Sequence, residues 1–495
     1  MSRSPRAVLA AILAIYLILA SLYALRTPLW QAPDEPAHFN FVQELATRGR
    51  LPRLQPGDYD QAYLDQIKAR GFPPDLAIDG IRYEGHQPPL YYLLAAPLYL
   101  ASQGWGVAGQ VQALRLFGVL LGGGMVALLW ASVRRIFPAQ PQRAHVAAAF
   151  AALLPMHLAM MAAVNNDSLA ELLIAVGMYR LLGHVQAPAA SLRAWTITGV
   201  VVGLGLLSKF QAYILLPLAA AVWLWQALFL TRRRNGAAAG STDRPIPRLL
   251  AWLIPALWLP LPWWVRNLTL YGGSDLLGLQ QHDAIVSGQP RTLDWIAAFG
   301  WQAYAERLFL FTFQSFWGVF GWLGLFLDAR IYALLALLTL FAGVGLAVWG
   351  RQHGAGLSAG QRRGLALLGL HGLIVLASFV WYNLSFVQHQ GRYLFPALLP
   401  LSLAFALGLE GLFGAGGSRV AAGVAAALAL ILALAGLARG DLPGWGLMLT
   451  LAAACVLALR SRWQTLPWSL WAALALAGVA AVAVWALFGA IVPQL

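Results

Sequence analysis

Apolar runs of 18 residues or more recur along almost the whole of this 495-residue chain. At 1.5 Å of rise per residue, a helix of that length crosses the roughly 30 Å of hydrocarbon in a bilayer. Inside hydrocarbon each backbone N–H and C=O must be satisfied within its own segment, so such runs can only be helices. The chain therefore reads as an all-α polytopic membrane protein with about thirteen spans. They are expected at 8–26, 112–133, 144–163, 168–183, 194–207, 210–230, 248–265, 329–349, 364–384, 393–413, 419–437, 443–460 and 467–489; the segment 194–207 is short. Composition agrees, with 60% hydrophobic and 11% charged residues and a mean hydropathy of +0.67. The one cysteine, Cys455, lies in an apolar run and leaves disulfides no part.

The net charge of +14 invites a nucleic-acid reading, but the charges are sorted by topology. With Arg3 and Arg6 placed in the cytoplasm, alternate loops carry the basic residues. These are Arg134, Arg135 and Arg143; Arg193; Arg232, Arg233, Arg234, Arg244 and Arg248; Arg351, Arg362 and Arg363; Arg419; and Arg460 with Arg462. That is the positive-inside pattern, and it implies no nucleic-acid partner. The first span ends at Arg26 and a Pro with no small-residue cleavage site, as in a retained signal anchor. The stretch "PPLYYLLAAPLYLASQGWG" (88–106) would invert this pattern if it crossed the membrane. It is expected instead to lie along the outer interface, with Tyr91, Tyr92, Tyr99 and Trp105 at the headgroup level.

Apart from Asp243 and Glu410, the nineteen acids fall on the outer face or at outer helix ends. Most occupy a long first loop, about 28–111, whose aromatic and proline content predicts a partly helical, ordered element. Polar groups thus gather at one end of an apolar bundle, in this loop and in "AVNNDSLAELL", "LSKFQAY", "WWVRNLTLYGGSDLLG", "TFQSFWGVFGW" and "VQHQGRYLFP".

Within the loop, "PDEPAHF" sets Asp34 beside Glu35, just before Pro36, a favoured first-turn residue. One reading makes these acids a helix N-cap; the other makes one of them a general base, with His38 a turn further on. Asp167 and Ser168 similarly either cap a span or present a carboxylate. Glu171, one turn into that span, is costly in a membrane unless it faces a polar cavity. Only Lys68 and Lys209 depart from arginine among 33 basic residues. Lys209 at an outer helix end is either snorkelling or a compact charge for a phosphate. Arg266 and Arg392 also lie outside, against the orientation rule, while Arg115 reads as an anchor of its span. Cations beside acids beneath an aromatic belt suit an amphiphilic substrate with a phosphate headgroup.

In this order, "PDEPAHF", "HQPPLYYLL", "RLFGVLLGG", "NNDSL" and "GLLSKF" resemble the GT-C superfamily of membrane glycosyltransferases. The likeness is to the branch of dolichyl-phosphate-mannose protein mannosyltransferases and lipid A aminoarabinose transferases. "PWWVRN", "SFWGVFGW" and "QGRYLFP" resemble a bacterial subfamily within it. The likeness covers about 8–415 and implies a catalytic module over 1–415 followed by C-terminal helices over 416–495. It implies inverting transfer of a sugar from a polyprenyl-phosphate donor to a glycan, lipid or protein acceptor on the outer face of a bacterial inner membrane. Asp34 would be the base and Glu35 its neighbour. His38, His86, Gln87, Asn166, Asp167, Glu171, Lys209, Arg266, Arg392 and Tyr393 would contact substrate, with Lys209 and Arg392 near the phosphate. The chain departs from the lipid A transferases in having Gln87, preceded by His86, where they place Lys before the Pro-Pro pair.

A polyprenyl phosphate leaves readily once cations stabilise it, so the acid has only to orient and deprotonate a hydroxyl. The two-carboxylate arrangement of glycoside hydrolysis is not required. No cofactor is expected; Asp34, Glu35 and Asp167 could build an oxygen-rich metal site, but no motif demands one. The rival readings are a transporter or flippase for a lipid-linked saccharide and a non-catalytic envelope scaffold. No internal repeat supports the transporter.

Overall fold

The computed structural model describes residues 4–187, 190–234, 245–414, 416–463 and 465–495. Arg3, Arg244 and the side chains of Arg232, Arg233 and Arg234 lie outside what is described. Among the described residues ten helices are long and apolar enough to cross a membrane, and two bent pairs raise the number to twelve. The remaining expected span, 194–207, forms the shorter helix Leu192–Leu206 of 15 residues, about 22 Å long, which packs beside Pro245–Trp258.

The bent pairs have local causes. The span expected at 144–163 breaks by 66° between Pro141–Leu153 and Pro155–Met161. Pro155 lacks the N–H that would continue the helix, and Leu154 before it adopts extended backbone. The second bend, 44°, separates Pro245–Trp258 from Leu261–Tyr271, where Pro260 precedes the new helix.

The long first loop is ordered, as expected, through the helices Glu35–Arg48, Gln61–Ala69 and Leu90–Ala101. Asn40 fastens it by donating from Nδ2 to the carbonyls of Ile78 and Ile81 at 2.7 and 2.9 Å. Leu90–Ala101, with 12 residues, spans about 18 Å. Its tyrosines correct the interfacial picture: Tyr91 and Tyr92 are fully buried and Tyr99 nearly so. Tyr92 stacks on Phe41 and His38, and Tyr99 meets Phe39 edge to face. They dock Glu35–Arg48 onto the bundle, and Trp105 alone of the four is exposed.

A two-residue hairpin, Val319–Phe320 against Leu325–Phe326, interrupts the otherwise helical chain. The helices beyond 416 share the main core: Trp468–Trp485 contributes Ala472, Leu476, Val479 and Ala483. Tyr23 from the first helix donates to the carbonyl of Ala483 at 2.7 Å.

Candidate active site

A cavity of about 1190 Å³ opens at the first-loop end of the bundle. Its upper walls come from the first loop and from 277–291. Its lower walls come from the helices that begin at Asp167 and Leu215 and the one that ends at Ser385. Ile374 lies about three turns, roughly 16 Å, below Ser385 along its helix, and lines the same cavity with Val375, Phe379, Ile214 and Pro217. One space therefore runs from a polar mouth into an apolar trough at membrane depth.

Asp34 stands at the start of Glu35–Arg48 in the left-handed region, φ 67°, and its side chain makes no capping bond. The capping reading fails for it. Its Oδ1 accepts from the Tyr83 hydroxyl at 2.9 Å and its Oδ2 from Arg392 Nη2 at 3.1 Å. The carboxylate is 29% exposed and borders the cavity. Burial pushes the Asp34 carboxyl up, but Arg392, His38 and the Tyr83 hydroxyl outweigh it and hold the group below the usual carboxylate range.

Glu35 is elsewhere. It is fully buried and receives Arg115 through two bonds, Nε to Oε1 at 2.7 Å and Nη2 to Oε2 at 2.6 Å. The backbone N–H groups of Val164 and Trp30 complete its shell. Arg115 also donates to the carbonyls of Ala24, Thr27 and Pro28, closing the end of the first helix. Glu35 does not border the cavity, so its place corrects the expectation of a catalytic neighbour: it fixes the backbone from which Asp34 projects. Arg115, read as a simple anchor near the start of its span, is 1% exposed and central; a charge set within an otherwise apolar run was the signal for it.

Asn165 resolves the second capping question. Its Oδ1 accepts from Asp167 N at 3.0 Å and Ser168 N at 3.4 Å, leaving the Asp167 carboxylate to meet Lys209 Nζ at 2.7 Å. Both side chains are 16% exposed and border the cavity. Asn166 lies behind them, fully buried, donating to Gln87 Oε1 and the Ser208 carbonyl. Glu171 borders the cavity and faces His157 Nε2 at 3.1 Å.

Arg392 is aimed by its neighbour. Gly391 packs so tightly on Trp301–Trp317 that a Cβ would overlap the backbone at Thr312 and Phe316, and its N–H donates to Ser315 Oγ at 2.8 Å. Arg392 Nε donates to Gln390 Oε1 at 2.7 Å, and Tyr393 lies within the cavity wall beside it. His38 pairs through Nδ1 with the Tyr92 hydroxyl at 2.7 Å. Burial holds its pKa down against the pull of Glu84 and Asp34. His86 and Gln87 also border the cavity.

Arg266 is displaced from the expected set. Its Nη2 donates to the carbonyls of Leu51 and Pro52 at 3.3 and 2.5 Å, and its guanidinium lies over Trp263. It ties the first loop to Leu261–Tyr271 and does not border the cavity. Among the described residues no three His, Cys, Asp or Glu side chains converge to hold a metal ion. Asp34, Glu35 and Asp167, which could have formed such a site, each face a separate cation.

The overall arrangement matches a known one. ArnT from Cupriavidus metallidurans, in a crystal structure bound to undecaprenyl phosphate, superposes with a TM-score of 0.51 at 16% identity, over 97% of this chain and 76% of that one. The chain is an all-α polytopic membrane protein that shares the fold of that structure. Residues 86–261 match the family described as dolichyl-phosphate-mannose-protein mannosyltransferase. Weaker structural likenesses extend to an S. cerevisiae protein O-mannosyltransferase complex, Pmt1-Pmt2, bound to the sugar donor. That match has a TM-score of 0.38 and 14% identity, covering 55% of this chain and 34% of that one. For the Archaeoglobus fulgidus oligosaccharyltransferase the values are 0.45 and 13%, covering 95% and 55%. The chain thus spans only about a third and about half of those two proteins. Comparison with curated protein sequences finds no significant match.

Proposed function

We propose that the protein transfers a sugar from a polyprenyl-phosphate-linked donor to an acceptor hydroxyl at the outer face of a bacterial inner membrane, with Asp34 as general base. One observation carries this reading: the uncapped Asp34 carboxylate shares a single cavity with Lys209 and Arg392, and that cavity continues into an apolar trough. The trough suits a polyprenyl tail and the cations suit its phosphate. Lys209 gives one of its three N–H donors to Asp167, and Arg392 Nη1 meets the weak acceptor Met160 Sδ at 3.9 Å; donors thus remain for phosphate oxygens.

As the glycosyl–oxygen bond breaks, charge grows on the phosphate, and these cations stabilise it where it forms. Asp34 accepts the proton of the attacking hydroxyl, contributing about 10²–10⁴-fold. A phosphate competing for Arg392 would also release Asp34 Oδ2 to act as base. The acceptor, whether glycan, lipid or protein, approaches from the polar mouth.

The test is transfer of labelled sugar from undecaprenyl-phosphate donors by purified protein in lipid nanodiscs. Asparagine tolerates the left-handed backbone at residue 34 as well as aspartate does, so Asp34→Asn removes the base without refolding the turn. Asp34→Asn is expected to lose at least 100-fold in rate, and Lys209→Ala to weaken donor binding. Full transfer by both variants overturns the site assignment. Donor translocation across vesicles without any transfer would instead make the protein a lipid-linked saccharide flippase.

A further inference from the structure

Six acids border the cavity, and five have a cationic or imidazole partner. Asp34 faces Arg392, Asp167 faces Lys209, Asp65 faces Lys68, Asp283 faces Arg291 and Glu171 faces His157. Glu84 is the exception among the described residues. It is 8% exposed, no ion pair engages it, and its Oε2 is buried with no hydrogen-bond partner. A buried carboxylate oxygen without a donor loses hydration with no hydrogen bond to offset it, so this one suits donors that arrive with a ligand.

Its surroundings supply further acceptors. His86, two residues on, is 6% exposed and places Nδ1 3.2 Å from the Tyr83 carbonyl. A carbonyl can only accept, so Nδ1 carries the proton and Nε2 is left with a free lone pair. The His282 ring packs against it, centroids 4.3 Å apart, and also borders the cavity. Burial lowers the pKa of both imidazoles, and each rests neutral.

The fold brings this cluster together deliberately. Gly278, φ 72°, precedes Leu279–Ile285, and a Cβ there would lie 3.1 Å from His86 Cβ. Gln281 donates to the Leu54 carbonyl at 3.2 Å, and the Tyr271 hydroxyl accepts from Leu54 N at 3.1 Å. This wall therefore presents acceptors, while the phosphate-facing side presents donors on Lys209 and Arg392.

We propose that Glu84, with His86 and His282, forms a subsite that accepts hydrogen bonds from neighbouring hydroxyl groups of a sugar ring. The subsite names the carbohydrate portion of the substrate and so rests on the proposed function. The sugar is either the one being transferred or one in a glycan acceptor, and both bring the same chemistry. Sites built to bond a hydroxyl discriminate strongly against analogues lacking it, because their own polar groups are then left unpaired.

Binding to full-length protein in nanodiscs tests this without requiring turnover. Three probes are measured against wild type, Glu84→Gln, Glu84→Ala and His282→Phe: undecaprenyl phosphate, undecaprenyl-phosphate-linked hexoses, and soluble oligosaccharides. Undecaprenyl phosphate is expected to bind all four proteins alike, which also reports that they are folded. Wild type is expected to gain affinity from the sugar in one of the other two probes, and Glu84→Ala to lose about 10- to 100-fold of it. Loss confined to the lipid-linked hexoses assigns the subsite to the donor, and loss confined to oligosaccharides assigns it to the acceptor. Sugar-dependent binding that survives in every variant, or that wild type never shows, overturns the proposal. Loss of transfer chemistry with sugar binding intact would count against the proposed function and leave the subsite standing.

Discussion

Asp34 sits in a backbone conformation that few side chains adopt readily, in contact with a cation that belongs to a helix far along the chain. Its ionisation is set by opposed effects, burial raising the pKa and Arg392 lowering it. The net shift is downward, so the proposed base is ionised across the neutral range and is lost only as pH falls through its lowered pKa. The acid limb of kcat/KM is therefore expected below the usual carboxylate range. Arg392→Gln removes the largest lowering influence and leaves the burial, which should move that limb to higher pH. A limb that stays put in Arg392→Gln would show that another group titrates. The choice of Asp34 over Glu35 was not readable from "PDEPAHF" alone, since the two are chemically alike. Arg115, 80 residues away, takes one of them, and no local pattern announces that.

At the scale of elements, the Glu35–Arg115 pair joins the end of Pro5–Arg26, the start of Glu35–Arg48 and the long helix Gly106–Ile136. Removing one partner of a buried pair leaves an uncompensated charge, at about 3–5 kcal/mol. Glu35→Gln and Arg115→Met are each expected to lower thermal stability in detergent by that order. The double variant should cost less than their sum, because the stranded charge is gone. Additive losses would mean the two do not act as a pair. The apolar runs gave the spans away almost entirely, and aromatic and proline content revealed the ordered first loop. Two breaks hid in them: a hydropathy window averages across Leu154 and across Pro260, although the prolines there were visible. The tyrosines of Leu90–Ala101 misled because an aromatic that suits an interface equally suits a core.

For the whole molecule, the cavity groups and the arginines of the opposite end are held apart by helices such as Ala359–Ser385, 27 residues long and about 40 Å. The bundle is thus polar at its two ends. The orientation of that polarity in a membrane is testable by replacing Cys455 with alanine and placing single cysteines at the exposed positions Arg70 and Arg362. In intact cells a membrane-impermeant maleimide is expected to label position 70 and spare position 362. The opposite result would put the cavity in the cytoplasm and exclude an outer-face acceptor. Convergence of Asp34, Lys209 and Arg392 followed from that polarity alone, since all three were assigned to one end. The proposed acceptor wall did not follow, because His282 reaches His86 through the packing of Gly278 on His86.

The contact between Asp34 and Arg392 joins positions 358 residues apart. During synthesis at about 5–20 residues per second, the first loop emerges on the order of 20–70 s before its cationic partner exists. Through that interval Glu35 and Arg115 can already hold the turn, but the base has no Arg392 beside it. On the proposed function, the site is therefore completed late in biosynthesis, and a ribosome-stalled or truncated chain ending before Gly391 is expected to be inserted, partly packed and inert.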